Sequence, residues 1–187
     1  MSFYSIGSQT VGPYFKLGLE WLYDEDAAGP EAAGERVEIH GRVLDAAQAP
    51  VPDALVEVWQ ADANGKYHHP EDARDVRPDP AFQGFARVPT DAEGRFVVRT
   101  VKPGRVPGPE GTLQAPHLNV IVMMRGLLRH APTRMYFPDG PGNEEDPVLA
   151  LVPEERRATL IPVDEGDGVL EWDIRMQGER ETVFFEY

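Results

Sequence analysis

The sequence predicts an all-β protein, namely an antiparallel β-sandwich with long loops, an N-terminal arm and minor short helices. Apolar residues recur with a period of two in several short segments, which is the pattern of strands with one buried face. Turn signals such as Pro50–Asp53 and Asn64-Gly65 separate these segments. Glycine and proline contribute 18 residues each to a chain of 187, well above their average combined usage of roughly 12%. This surplus indicates many turns and few long helices.

The clearest strand signal covers residues 169–177, where apolar and polar residues alternate strictly and predict one buried and one wet face. Further strands are predicted over residues 37–44, 54–61, 95–101, 117–124, 133–137 and 159–164. Long loops are predicted over residues 24–36, 68–92 and 138–152, and short helical segments over residues 17–23 and 153–157. We therefore expect a single domain over residues 1–187, with residues 1–16 as the N-terminal arm.

Composition and charge exclude several classes of function. The chain has 18 basic and 32 acidic residues and a net charge of −14, and such a surface repels phosphates and anionic lipids. We therefore expect no nucleic acid and no membrane as partners. The absence of cysteine rules out disulfides, zinc–thiolate sites and cysteine nucleophiles. The first basic residue is Lys16, so the start of the chain lacks the basic segment and the following apolar stretch of a signal peptide. We therefore predict no signal peptide and expect a cytoplasmic location.

A series of motifs runs along nearly the whole chain. In order they are SQTVGPYF (8–15), EVWQADANGKY (57–67), TDAEGRF (90–96), TVKPG (100–104), APH (115–117), RMYFPD (134–139) and RMQGERETVFFEY (175–187). In these motifs the chain resembles the intradiol ring-cleavage dioxygenases. The first and last motifs narrow the resemblance to the non-iron α-type subunits of the two-chain members of that family.

The resemblance implies an Fe(III) site made of two tyrosines and two histidines. This donor set is chemically reasonable, because a hard ferric ion favours anionic phenolate oxygens and imidazoles complete its shell. At the four ligand positions this chain has Tyr67, Val106, His117 and Asn119. Val106 has no donor atom and Asn119 is a weak neutral ligand, so we expect neither a metal nor catalytic residues on this chain alone. The ordinary interpretation of Tyr67 and His117 is a buried hydrogen bond between them.

The resemblance also implies a partner. Fe(III) would be bound by a homologous iron-binding β-subunit and not by this chain, and the two chains would form a hetero-oligomer of αβ units. The implied substrates are O2 and a small aromatic acid, 3,4-dihydroxybenzoate, which would be cleaved to 3-carboxy-cis,cis-muconate. This chain would wall part of the substrate pocket.

Five residues are predicted to line that substrate pocket over the iron of the partner. They are Thr10, Gly12, Pro13 and Tyr14 of the arm, together with Arg134. The guanidinium of Arg134 suits an aromatic acid because its fork matches a carboxylate. Arg125 and Arg129 lie on the neighbouring connection and are alternatives to Arg134 for this role.

Two other hypotheses remain open from the sequence. In the first, the chain is a self-sufficient catechol or hydroxyquinol dioxygenase with an unusual metal site, although Val106 and Asn119 argue against this. Alternatively, it is a transthyretin-like binding module without catalytic activity, which would not need the SQTVGPY arm. The acidic runs Asp24–Asp26 and Glu144–Asp146 lack the spacing of a calcium loop and are predicted to be solvated charge.

Overall fold

A computed structural model describes residues 12–186, and residues 12, 13 and 15 by their backbone alone. In this part of the chain the strands are, in order, β1 Arg36–Leu44, β2 Leu55–Trp59, β3 Phe85–Pro89, β4 Arg95–Val101, β5 Val106–Pro107, β6 Leu113–Gln114, β7 His117–Met123, β8 Ala131–Tyr136, β9 Val163–Gly166, β10 Val169–Glu171 and β11 Ile174–Arg175. The α-helices are α1 Gly12–Gly18 and α2 Glu154–Arg157. Single 3-10 turns cover Glu20–Leu22, Pro109–Gly111, Asn143–Glu145, Leu149–Leu151 and Ala158–Leu160. The predicted all-β fold with minor helices is confirmed.

Two sheets face each other. In the first sheet, β1 pairs with antiparallel β4 on one side and with parallel β10 and β11 on the other, and β9 extends the sheet through β10. The second sheet has the order β3-β2-β7-β8 and is antiparallel throughout. Strands β5 and β6 form a separate small hairpin.

The main core lies between the two sheets. Its side chains come from every second residue of the strands. Along β1, Val37, Ile39 and Val43 are buried, whereas the charged residues between them are exposed or half-buried. The other strands contribute Val56, Val58, Phe96, Val98, Leu118, Val120, Met135, Leu170 and Ile174. Burying one such side chain contributes about 1.5–3 kcal/mol relative to leaving it exposed.

A second cluster covers the outer face of the second sheet near the end of β8. It is built from Ala115, Tyr136, Leu149, Val152 and Leu160, with Val183 and Phe185 packed against it. The C-terminal segment and the chain from the Asn143–Glu145 turn to α2 therefore cover this part of the outer face. The candidate site lies on the neighbouring part of the same face.

Three of the predicted elements are corrected by the structure. The strand predicted over residues 159–164 is wrong, since Ala158–Leu160 is a 3-10 turn and Pro162, which lacks an N–H for a strand ladder, separates it from β9. The loop predicted over residues 68–92 contains β3, whose alternation is hard to recognise because it begins with the half-exposed apolar residue Phe85. The segment predicted as one strand over residues 169–177 keeps its alternation but is divided into β10 and β11.

The N-terminal region is more helical than its sequence suggests. Helix α1 begins at Gly12, five residues before the predicted start at residue 17, and the Gly12-Pro13 pair forms its first two positions. Proline is tolerated in a first helical turn because its missing N–H would have no partner there. Residues 1–11 lie outside the described part, so the single domain and the arm over residues 1–16 stay predictions. Within residues 12–186 the structure has no helix with the length and apolar character to cross a bilayer.

Candidate functional site

Polar and aromatic side chains gather on the outer face of the second sheet. The even-numbered apolar residues of β7 face the core, and this leaves His117 and Asn119 on the opposite face. Asn119 lies opposite Trp59 on β2 and Arg134 on β8. His117 lies opposite Tyr136 on β8. Adjacent strands therefore bring two of the predicted ligand positions and the predicted arginine together.

The turn that carries Tyr67 is organised by Asp62, which is 1% exposed. The Asp62 carboxylate accepts hydrogen bonds from the backbone N–H groups two and four residues later, each at 2.9 Å. Its backbone carbonyl accepts hydrogen bonds from the N–H groups of Gly65 and Gly104, also at 2.9 Å each. This is the local bonding by which aspartate stabilises turns. It ties the Asn64-Gly65 turn to the Lys-Pro-Gly segment that follows β4.

Two glycines allow these segments to touch. Gly65 has a φ of +75°, and a Cβ atom placed on it would lie 2.1 Å from the carbonyl oxygen of Arg105. A Cβ atom on Gly104 would lie 2.5 Å from the backbone nitrogen of Gly65. Only glycine permits such an approach of two backbones. As a result, Tyr67 and Val106 line the same cleft.

That cleft has a volume of about 570 Å³. The aromatic part of its wall is a cluster in which the ring of Trp59 lies 4.8 Å from that of Tyr67 and 5.9 Å from that of His69. Val106, Arg74 and Gln114 are further parts of the wall. We call it the outer cleft.

The three polar side chains at the ligand positions have their contacts within this chain. The side-chain amide of Asn119 donates hydrogen bonds to the hydroxyl oxygen of Tyr67 at 3.3 Å and to the carbonyl of Trp59 at 3.2 Å. His117 Nδ1 lies 2.8 Å from the carbonyl oxygen of Ala115, and its ring packs beside Tyr136. In the described part, the predicted hydrogen bond between Tyr67 and His117 is therefore wrong, because each side chain has a different partner.

Burial sets the protonation of these groups. Burial, followed by the nearby charge of Arg134, lowers the pKa of His117 to about 4. Burial raises the pKa of Tyr67, against the opposing effects of the Asn119 hydrogen bond and of Arg134. Burial also raises the pKa of Tyr136 far above its usual range. At neutral pH the site therefore holds a neutral imidazole and two neutral phenols near the guanidinium groups of Arg134 and Arg74.

Of the three candidate arginines, Arg134 is the one at this site. Its guanidinium donates hydrogen bonds to the side-chain oxygen of Gln114 at 2.7 Å and to the hydroxyl of Tyr136 at 3.4 Å. Arg125 and Arg129 lie in the connection after the opposite end of β7 and are exposed. Gln114 holds the guanidinium in a fixed orientation, and no pattern in the sequence indicates this role.

These residues do not fit a ferric ion. An amide N–H of Asn119 is directed at the Tyr67 oxygen, and the buried side chain of Val106 presents only methyl groups. Two of the four donors that the resemblance requires are thus missing. Among residues 12–186, no cluster of three or more His, Cys, Asp or Glu residues is arranged to hold a metal ion.

The predicted arm residues are only partly described. Tyr14 lies on α1 with 75% of its surface exposed, Gly12 and Pro13 form the first turn of the same helix, and Thr10 lies outside the described residues. The structure does not bring Tyr14 and Arg134 together into one cleft of this chain.

Asp146, predicted to be solvated, is instead fully buried beneath the site. Its carboxylate accepts hydrogen bonds from the hydroxyl of Tyr136 at 3.1 Å and from the backbone N–H of Ala115 at 2.7 Å. It also accepts the N–H groups of Val148 and Leu149, as a turn-forming aspartate before a proline does. The Asp146-Pro147 pair was the sequence signal for this role.

The carboxylate of Asp72 holds the backbone of Tyr67 in place. Its carboxylate accepts the Tyr67 N–H at 2.9 Å and the Arg74 Nε–H at 2.8 Å, and Lys66 Nζ lies 3.2 Å away. The hydrogen bonds from Arg74, then those from Tyr67 and Lys66, hold the pKa of Asp72 well below its usual range, against the effect of burial.

We predict that Gly65→Ala destabilises the chain much more than Gly111→Ala. Both glycines have a positive φ, but a Cβ at Gly111 meets nothing within 4 Å. Gly111→Ala should therefore cost about 1–2 kcal/mol of left-handed strain, and Gly65→Ala should add about 1–3 kcal/mol of overpacking. Urea unfolding of the two variants measures the difference, and equal losses would contradict the close approach.

We predict that Asp72→Asn lowers the free energy of unfolding at pH 7 by about 2 kcal/mol, because charge-assisted hydrogen bonds are lost. A carboxylate with a depressed pKa stabilises the fold above its unfolded pKa of about 3.9, and this contribution is lost as the pH falls below that value. The wild-type chain should therefore lose stability more steeply than the variant between about pH 5 and pH 3. Urea unfolding across this range tests the prediction, and parallel pH curves would contradict it.

Comparisons with known proteins agree with this geometry. Residues 12–178 match the protein family described as Dioxygenase. The chain is 48% identical to the protocatechuate 3,4-dioxygenase alpha chain of Burkholderia cepacia, over 96% of this chain and 95% of that relative. It is 39% identical to the protocatechuate 3,4-dioxygenase beta chain of the same organism, over 81% of this chain and 68% of the relative.

A solved structure supports the fold. The 3-chlorocatechol 1,2-dioxygenase of Rhodococcus opacus 1CP superposes with a TM-score of 0.64 at 21% identity, over 93% of this chain and 68% of that one. At this identity the likeness concerns the fold alone, whereas the family assignment comes from the sequence matches. The chain belongs to the intradiol ring-cleavage dioxygenase family, and among its relatives it is a close homologue of an alpha chain.

Proposed function

We propose that this chain is the non-iron α-type subunit of a two-chain intradiol dioxygenase that cleaves 3,4-dihydroxybenzoate with O2. The proposal is carried by one observation, namely that Asn119 and Val106 stand at two of the four ligand positions and that Asn119 donates a hydrogen bond to Tyr67. Fe(III) would be held by a homologous β-subunit. This chain would close the pocket over that ion.

The relatives support a hetero-oligomer. An alpha chain and a beta chain of protocatechuate 3,4-dioxygenase exist as separate proteins in Burkholderia cepacia, and this chain is similar to both. Its higher identity to the alpha chain extends over nearly the full length of both sequences. The αβ pairing, the substrate and a cytoplasmic location are parts of the proposal.

The arm is proposed to line the partner's pocket. Thr10, Gly12, Pro13 and Tyr14 would form the wall over the iron, and the 75% exposure of Tyr14 supports this because its ring is available to another chain. Bound there, these residues would exclude water and restrict the orientations of the aromatic acid. Positioning of this kind can contribute several kcal/mol to lowering a barrier.

Arg134 is proposed as the residue that binds the carboxylate of the substrate. Its guanidinium is half-buried and oriented by Gln114, so a bidentate partner would meet a preorganised fork. This part of the proposal requires that the outer face of the second sheet meet the partner's pocket.

We predict that the chain purified alone is colourless, carries little iron and does not cleave 3,4-dihydroxybenzoate. Co-purified with an iron-binding homologous chain, it should give a coloured, active complex, because charge transfer from tyrosinate to Fe(III) absorbs visible light. Iron analysis, the visible spectrum and O2 uptake test both preparations. Stoichiometric iron and turnover in the chain alone would support a self-sufficient enzyme, and a colourless, inactive mixture would support a binding module.

We predict that Arg134→Gln in the active complex raises the KM for 3,4-dihydroxybenzoate at least about tenfold, as expected for a lost charge-assisted hydrogen bond. The KM for catechol, which lacks the carboxylate, should change little. Arg125→Gln is the matched control, since Arg125 is 65% exposed and lies in the distant connection. Equal effects of Arg134→Gln on both substrates would contradict a role in binding the carboxylate.

A further inference from the structure

The buried carboxylate of Asp146 joins the two side chains that contact the guanidinium of Arg134. These are Gln114 and Tyr136, which accept hydrogen bonds from Nη1 of the arginine at 2.7 Å and 3.4 Å. Asp146 accepts a hydrogen bond from the hydroxyl of Tyr136 at 3.1 Å. It also accepts the backbone N–H of Ala115, the residue that follows Gln114, at 2.7 Å. Both acceptors are therefore tied to one carboxylate, and we call Gln114, Tyr136 and Asp146 the Asp146 group.

Two acceptors on one nitrogen fix the guanidinium more firmly than one acceptor would. A single hydrogen bond leaves a planar group free to turn about the line between donor and acceptor. The contact with the hydroxyl of Tyr136 restricts that rotation. Gln114 is itself held, because its Nε2 donates a hydrogen bond to the carbonyl of Pro107 at 2.9 Å across the β5–β6 hairpin. The plane of the guanidinium fork is therefore set within this chain.

Asp146 also sets the direction of the Tyr136 hydroxyl. A phenol has one hydrogen to donate, and here Asp146 accepts it. The phenol oxygen can then act toward Arg134 only as an acceptor. Tyr136 and Asp146 are both 0% exposed, so water does not compete for this contact. Three backbone N–H groups hold the carboxylate itself in place, namely those of Ala115, Val148 and Leu149.

Stability of the turn accounts for only part of this arrangement. The backbone N–H groups alone would hold the segment that begins at Asp146. The hydrogen bonds from Nη1 of Arg134 instead order a long side chain, and this costs conformational entropy that a solvated arginine would keep. The side chain is held half-buried among polar groups on the outer face of β8. Restraint of an arginine in this way is expected where the direction of its fork serves binding.

We infer that Tyr136 and Asp146, together with Gln114, are positioning residues that hold Arg134 ready for the carboxylate of the aromatic acid. The inference rests on the proposed function, and it adds to the role of Arg134 two buried residues that act through it. A guanidinium that is already oriented does not have to be ordered when the ligand binds. The Asp146 group should therefore favour ligands with a carboxylate over ligands that lack one.

The test compares two single variants in the co-purified, iron-containing complex. Tyr136→Phe keeps the ring and removes the hydroxyl, whereas Gln114→Met keeps the length of the side chain and removes the acceptor. Thr133→Val is the matched control, because it removes a buried hydroxyl of the same strand that donates to the carbonyl of Val183 at 2.6 Å. KM and kcat are measured with 3,4-dihydroxybenzoate and with catechol. Urea unfolding verifies that each variant is folded, and a folding defect in one variant leaves the other as a test.

We expect Tyr136→Phe and Gln114→Met each to raise the KM for 3,4-dihydroxybenzoate about threefold to tenfold, because binding must then order the arginine side chain. The KM for catechol and both kcat values should change by less than about twofold, as should every constant of Thr133→Val. Combined with Arg134→Gln, each substitution should have no further effect on the KM, since residues that act through one partner are not additive.

Equal effects on the two substrates, additivity with Arg134→Gln, or constants like those of the control would each overturn the inference and leave the role of Arg134 intact. If Arg134→Gln itself does not discriminate between the two substrates, the proposed role of Arg134 is overturned, and the inference falls with it. The two failures are therefore distinguished by the behaviour of Arg134→Gln alone.

Discussion

The alternation of side chains along β7 is the constraint on which both the core and the candidate site depend. One face of the strand supplies Leu118 and Val120 to the space between the sheets, and the other carries His117 and Asn119, whose amide donates hydrogen bonds to Trp59 and Tyr67 in the wall of the outer cleft. A shift of register by one residue would exchange the two sets, so packing of the core fixes the position of the site. The turn that carries Tyr67 then packs against this face through its contact with Asn119.

Hydrogen bonds to Asp62 and a close approach of two glycines position the segments that carry Tyr67 and Val106. Asp62 satisfies the turn before Tyr67, and the contact between Gly65 and Gly104 fixes the distance to Val106. Buried polar groups must still find partners, and here the Asn119 amide supplies one for the Tyr67 hydroxyl. Hydrogen bonds within the chain therefore hold the polar side chains at the ligand positions in place.

The sequence predicted the parts of this structure that follow from periodicity and from turn residues. Strands β1, β4 and β7 were predicted close to their bounds because each is a short segment rich in valine or isoleucine between turn residues. The structure brings Tyr67 and Asn119, two of the four positions compared with the family's ligands, within hydrogen-bond distance. The start of α1 was missed because a seven-residue helix leaves too short a pattern to recognise. The burial of Asp146 and the bond between Gln114 and Arg134 could not be predicted, since they depend on segments that meet only in the folded chain.

The separation of the two faces also explains why a valine and an asparagine at two of the four positions compared with the family's ligands are compatible with the fold. Val106 and Asn119 lie on the loop and the strand face that border the outer cleft, and neither belongs to the cluster of side chains between the sheets. Replacing a ligand there changes local hydrogen bonding, whereas the apolar area that stabilises the sandwich is unchanged. The residues at these two positions can therefore change without loss of the scaffold. On this argument an intact core and hydrogen-bonded polar side chains at the ligand positions are compatible with each other, and both are present in the described part of this protein.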